Sequence, residues 1–159
     1  MIERNNKPAT KSRGSVNSNN SFVYYHFVFR TYKGKHILTD RPSVDFLYKA
    51  FVDISKIKGF DLIACKVLGD HVHCLLGFDP KHRPDYVIRM IKGISSRDFF
   101  LEFKTNRLVY RKLWGRGYFE EQISPDKFNT VVRYIENQTN SSGLDKRFAQ
   151  EPRVSLAGS

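Results

Sequence analysis

Apolar and polar positions along this chain change period several times, and each change marks an element. Ser21–Arg30 reads Ser-Phe-Val-Tyr-Tyr-His-Phe-Val-Phe-Arg, dense in β-branched and aromatic side chains, which predicts a first strand. Phe46, Leu47, Ala50, Phe51, Ile54 and Ile57 then recur at helical spacing. Thr39-Asp40-Arg41-Pro42 supplies capping side chains and a first-turn proline for that helix, and Gly59 is placed to end it. Phe60–Leu68 predicts a second strand, Gly69-Asp70 a tight turn, and His71–Phe78 a third strand that pairs with the second as a hairpin. After a loop at Pro80–Pro84, Tyr86, Val87, Met90, Ile91 and Ile94 form a helical stripe, resuming through Asp98, Phe99, Leu101 and Phe103. Leu113–Ile123 reads as a fourth strand interrupted by glycines. Ser124-Pro125-Asp126 opens a last helix, which runs to about Thr139.

The order β-α-β-β-α-β-α predicts an α+β fold of the ferredoxin-like or RRM-like βαββαβ kind. Such a fold has one four-stranded antiparallel sheet with helices on one face, here followed by a C-terminal helix, and the other face is left for ligand. No internal repeat or second domain is visible. Residues 1–20 hold five asparagines among Ser, Lys and Arg, too few apolar side chains to offset the entropy of ordering. A disordered polar extension is expected there, a folded domain over 21–140, and a flexible basic tail over 141–159.

Charge narrows the partner. Twenty-seven Lys and Arg against sixteen Asp and Glu give a formal charge of +11 and a pI near 9.8. That balance suits a polyanion, of which nucleic acid is the commonest. An anionic membrane is disfavoured, since there is no long apolar run or basic amphipathic helix. With no apolar leader at the N-terminus either, a cytoplasmic, nucleoid-associated protein is expected. Cys65 and Cys74 fall in strand-like runs and read as reduced core residues.

Two short patterns carry candidate chemistry. In Asp70-His-Val-His-Cys-Leu-Leu76, alternation puts His71 and His73 on one face of a strand, able to converge on one metal ion. Val72, Cys74, Leu76 and Phe78 share the other face, so packing that apolar face on helices turns the histidines toward the open one. In Tyr134-Ile-Glu-Asn-Gln138, Tyr134 and Gln138 lie about 40° apart on a helix, flanking the stripe of Phe128, Val131, Val132 and Ile135. Each piece has a plainer reading. Strand histidines are ordinarily packed or solvent-facing, and Tyr134 is one of eight tyrosines.

These segments, with Ile91-Lys-Gly-Ile-Ser-Ser-Arg97, Leu113-Trp-Gly115 and Gly117-Tyr-Phe119, resemble the single-tyrosine HUH transposases of the smallest bacterial and archaeal insertion sequences. Their domesticated relatives associated with palindromic repeats are equally similar. The likeness spans roughly Tyr24–Gln138. It departs at Glu120-Glu-Gln-Ile-Ser124, where such transposases often carry a Thr-Val-Gly-like stretch. The resemblance implies His71, His73 and Gln138 as ligands of a divalent metal (Mg²⁺ or Mn²⁺) and Tyr134 as the nucleophile. It further implies a homodimer acting on single-stranded DNA with hairpins at the element ends, in which the tyrosine helix can complete the partner's site.

DNA contacts are expected from Arg89, Lys92, Arg97, Lys104, Arg107, Arg111, Lys112 and Arg116, with Trp114, Tyr118 and Phe119 as candidates to stack on unpaired bases. Three rivals stand beside a transposase. An RRM-like module would bind single strands without cutting them; an HUH replication initiator or relaxase is generally larger; a domesticated endonuclease would cleave repeat hairpins and mobilise nothing.

Overall fold

A computed structural model describes residues 21–104 and 111–139. The expected polar extension, the basic tail and Arg107 lie outside the described residues. Four strands, β1 (Val23–Arg30), β2 (Asp61–Val67), β3 (His71–Phe78) and β4 (Phe119–Ile123), form one antiparallel sheet in the order β2-β3-β1-β4. Among the described residues three α-helices accompany it: α1 (Arg41–Lys58), α2 (Pro84–Glu102) and α3 (Phe128–Glu136). This is the expected α+β arrangement.

Local chemistry sets the boundaries. Asp40 caps α1, its Oδ2 accepting the Ser43 N–H at 3.0 Å, and Gly59 ends the helix in the left-handed region at φ 81°. The helix expected to pause near Ile94 runs unbroken from Pro84 to Glu102. Of the long fourth strand Phe119–Ile123 pairs as a continuous ladder, and the Trp114 side chain enters the core, meeting Phe29 edge-on at 4.8 Å. A single bridge from Thr31 to Trp114 remains of its first half. The last helix begins with a 3₁₀ turn at Pro125–Lys127 and stops at Glu136, so Gln138 stands just beyond it.

The sheet is buried on both sides. Phe27, Phe29, Cys74, Leu76 and Phe78 face α1 and α2 in the larger core. On the opposite face Leu75, Ile63, Ala64 and Ile123 pack with Ile135, Val131, Val132 and Tyr134 of α3. The face expected to lie open is therefore roofed by α3, whose apolar stripe needs a surface to cover it. Every residue of β3 is buried as a result. Cys65 and Cys74 face each other across β2 and β3 as free, buried thiols, and burial pushes Cys74 up to about 12. A register shift between Leu62 and Ala64 turns both Ile63 and Ala64 toward α3.

At nine residues α3 is too short to hold itself helical in water, and its fully buried side chain is Ile135. Ile135→Ala is expected to remove ~2–5 kcal/mol of docking energy and free this terminal helix before the rest of the fold. Hydrogen exchange should then accelerate across 128–136 while the amides of β1 and β3 stay protected.

Candidate active site beneath the terminal helix

The hairpin turn that introduces the histidines is clamped from below. Leu68 N–H donates to His71 O at 2.8 Å, closing the turn around Gly69-Asp70. Thr31 donates to the Asp70 carbonyl from its backbone N–H at 3.0 Å and from Oγ1 at 3.3 Å, and Leu38 N–H reaches Gly69 O at 2.9 Å. With its backbone fixed, Asp70 directs a carboxylate oxygen at His71, whose Nδ1–H donates to Oδ1 at 2.7 Å.

His71 and His73 share a face as alternation requires, their ring centroids 5.1 Å apart at 68°. Only 7% of His71 and none of His73 is exposed. Tyr134 comes down from α3 onto His73, the ring centroids 5.8 Å apart at 79°. Three of the residues singled out from sequence thus meet at one place. Gln138 follows the helix end: its backbone N–H donates to Ile135 O at 3.2 Å, and its side-chain Nε2 donates to the Tyr134 carbonyl at 3.5 Å.

The donor chemistry fits a divalent cation. With Nδ1 of His71 bonded to Asp70, and Nδ1 of His73 3.0 Å from Nε2 of His26, Nε2 of each ring is the atom that could ligate such an ion. Among the described residues no group of three His, Cys, Asp or Glu gathers to hold an ion.

Sequence reasoning missed four neighbours. Asp70 stood in the motif without a role. His26 sits on β1, wholly buried, with its ring 6.0 Å from Tyr134. Arg30 is the register partner of His71 and Lys66 that of His73, so both cations enter on the histidines' rows. Lys66 Nζ donates to the Glu136 carbonyl at 3.4 Å, tying the end of α3 to β2. Strand alternation carried through the hairpin register would have found Lys66; His26 and Arg30 depend on the pairing of β1 with β3. Of the two carboxylates where the family pattern breaks, Glu121 pairs with His26 across β1 and β4.

The basic candidates divide. Arg89, Arg97, Lys104, Arg111, Lys112 and Arg116 are exposed. Arg89, Arg111, Lys112 and Arg116 rim a cavity of about 330 Å³ between α2 and the segment leading to β4. Lys92 instead turns inward, its ammonium donating to the carbonyls of Gly115 (2.8 Å), Gly117 (3.0 Å) and Arg116 (3.3 Å). Trp114, Tyr118 and Phe119 are each at most 9% exposed. Trp114 Nε1–H donates to Ser95 Oγ at 3.0 Å, so these aromatics build the loop more than they present themselves to a ligand.

Comparison with known proteins adds to this geometry. The family model described as transposase, IS200-like, matches residues 19–138. The ISDra2 transposase TnpA of Deinococcus radiodurans is 30% identical over 123 residues, covering 74% of this chain and 86% of that protein. A crystal structure of a candidate transposase from the same organism aligns with TM-score 0.61 and 28% identity, over 78% of this chain and 96% of its own. A REP-associated tyrosine transposase bound to a REP hairpin shares the fold, with TM-score 0.55 and 16% identity, over 87% of this chain and 81% of its own. Among the described residues no helix is long and apolar enough to cross a membrane.

Burial pulls Lys92 down to about 8 from the 10.5 of a free lysine. Between those values the unfolded chain holds more protons than the folded one, so this group adds stability as pH rises from about 8 to 10.5. Chemical denaturation of Lys92→Met on either side of that window should lack the rise. The same variant should also loosen the Gly115–Gly117 loop, seen as faster amide exchange at Gly115.

Proposed function

The chain belongs to the IS200-like transposase family, and from that premise we propose that it cuts and rejoins single-stranded DNA with Tyr134 as nucleophile. The observation carrying this reading is the approach of the Tyr134 ring to His73 beneath α3. In the first step the Tyr134 phenolic oxygen attacks the scissile phosphorus. A bond forms from that oxygen to the 5′-phosphate, the bond to the 3′-oxygen breaks, and the proton lost by tyrosine leaves a free 3′-hydroxyl on the other fragment. The phosphodiester energy is kept in the phosphotyrosine, so a second 3′-hydroxyl can reverse the attack and join a new strand. Nothing is lost to water.

His71 and His73 would hold a divalent cation through Nε2, with Gln138 as the third protein ligand. When bound, that ion polarises the phosphate and stabilises charge developing on its oxygens. Two imidazoles suit Mn²⁺ at least as well as Mg²⁺. Asp70 fixes the ring orientation of His71 through the 2.7 Å bond. Arg30 and Lys66, on the same rows, supply positive charge where a phosphate backbone would run.

DNA would be gripped by Arg89, Arg97, Lys104, Arg107, Arg111, Lys112 and Arg116. The loop of Gly115–Gly117 joins this group to the site, since Gly115 N–H bonds to Arg30 O at 2.9 Å, next to the start of β3. Hairpins at the ends of the element are the proposed targets, and a homodimer the proposed working unit. The REP-hairpin complex of a structural relative agrees with a hairpin ligand.

Incubation with single-stranded DNA carrying the flanking hairpins and Mn²⁺ should give a covalent adduct on a denaturing gel. Tyr134→Phe is expected to bind the same DNA and form none. An undiminished adduct in that variant would move the nucleophile elsewhere. A second expectation concerns the ion alone: Asp70→Ala should weaken Mn²⁺ affinity by ~10–100-fold, and Asp70→Asn, which keeps an acceptor, by less. Titration followed by the electron paramagnetic resonance of free Mn²⁺ measures both.

A further inference from the structure

His26 lies outside every ligand and nucleophile assigned above, yet it is a wholly buried polar side chain at the centre of the site. Its Nε2 stands 3.0 Å from Nδ1 of His73. The two rings are nearly parallel, 20° apart with centroids at 5.3 Å, a separation that places them edge to edge along the hydrogen bond. Strand pairing produces the contact: Val28 is the register partner of His73, so His26, two residues earlier on the same face, is its diagonal neighbour.

One proton is shared along this bond, and its position decides what His73 can do. To offer Nε2 to a cation, His73 must carry its proton on Nδ1. That N–H then needs an acceptor, and the ring nitrogen facing it is Nε2 of His26. We propose that His26 is a positioning residue that accepts the His73 Nδ1–H, selecting the tautomer in which the Nε2 lone pair of His73 is presented to the metal. The proposal rests on the metal-site reading above.

Two features fit this role better than simple packing. The paired histidine, His71, has the same arrangement with a carboxylate in place of the imidazole, since its Nδ1 is held by Asp70 at 2.7 Å. Both Nδ1 atoms are thus engaged from behind, as ligating histidines require. The His26 ring also packs edge-on to Tyr134 at 6.0 Å and Phe119 at 6.1 Å, which leaves little freedom to turn away. His26 therefore touches both the proposed ligand and the proposed nucleophile, and moves neither electron nor proton itself.

The test compares His26→Leu, which keeps bulk and removes the acceptor, with His26→Gln, whose side-chain oxygen reaches the place of Nε2. Long-range ¹H–¹⁵N spectra of the metal-free full chain report the His73 tautomer directly. The Nδ1-protonated form is expected in wild type and His26→Gln, and a shift toward Nε2 protonation in His26→Leu. Titration with Co²⁺ alone, read by its visible absorption, should show affinity reduced ~10–100-fold in His26→Leu and largely restored in His26→Gln. Thermal unfolding of each variant separates loss of fold from loss of the bond. His73 protonated at Nε2 in wild type would overturn the proposal, as would equal Co²⁺ affinities in folded wild type and His26→Leu, or equal losses in both variants. A wild-type chain with the expected tautomer that takes up no Co²⁺ would instead sink the metal reading, and with it the reason for the tautomer.

Discussion

A strand buried on both faces must satisfy two different neighbours with alternate residues, and β3 does so along its whole length. One set, Val72, Cys74, Leu76 and Phe78, goes into the larger core under α1 and α2. The other set carries His71, His73 and Leu75 to the side covered by α3, where Leu75 anchors the smaller core. Period-two alternation thus places two polar rings in a dry setting without interrupting either core. Burying them unsupported would cost several kcal/mol per polar group, so the structure must answer each ring with a partner. It does, by Asp70 from the turn and His26 from the neighbouring strand.

These two supports differ in kind. Asp70 brings a partly exposed carboxylate on a turn fixed by Thr31 and Leu38. His26 brings a fully buried imidazole on the central strand. A carboxylate draws the proton of its partner more strongly than an imidazole can, so the two histidines are unequal donors despite equal spacing along the strand. The tyrosine helix is held by equally mixed means, Ile135 in an apolar socket and Lys66 on the Glu136 carbonyl, where a cation also meets the negative end of the helix dipole.

Much of this was legible from the chain. Element order, the capping of α1 by Asp40 and Gly59, and the histidine hairpin followed from residue types and spacing alone. The meeting of Tyr134 with His73 followed from adding a flank position on a helix to a face of a strand. What escaped depended on packing. No pattern in Leu113–Ile123 signals that the Trp114 side chain enters the core, or that Lys92 would direct its charge to three carbonyls rather than to a ligand. The roofing of the histidine face escaped because the apolar stripe of α3 was read for its flanks and not for the surface it must cover. His26 escaped because a lone strand histidine says nothing until its diagonal neighbour is known.

The register shift in β2 carries a consequence for how this hairpin can change over evolution. The extra residue is Ile63, which together with Ala64 stands opposite Leu75, so both point toward α3. Beyond it Cys65 and Val67 face the larger core and Lys66 faces the histidines. Removing Ile63 would restore a regular ladder and leave each of these residues on its present side, because Leu62 and Ala64 already face opposite ways. The bulge is therefore slack in the strand. One residue can be lost at it with both faces kept, and the loss falls on the layer under α3 alone.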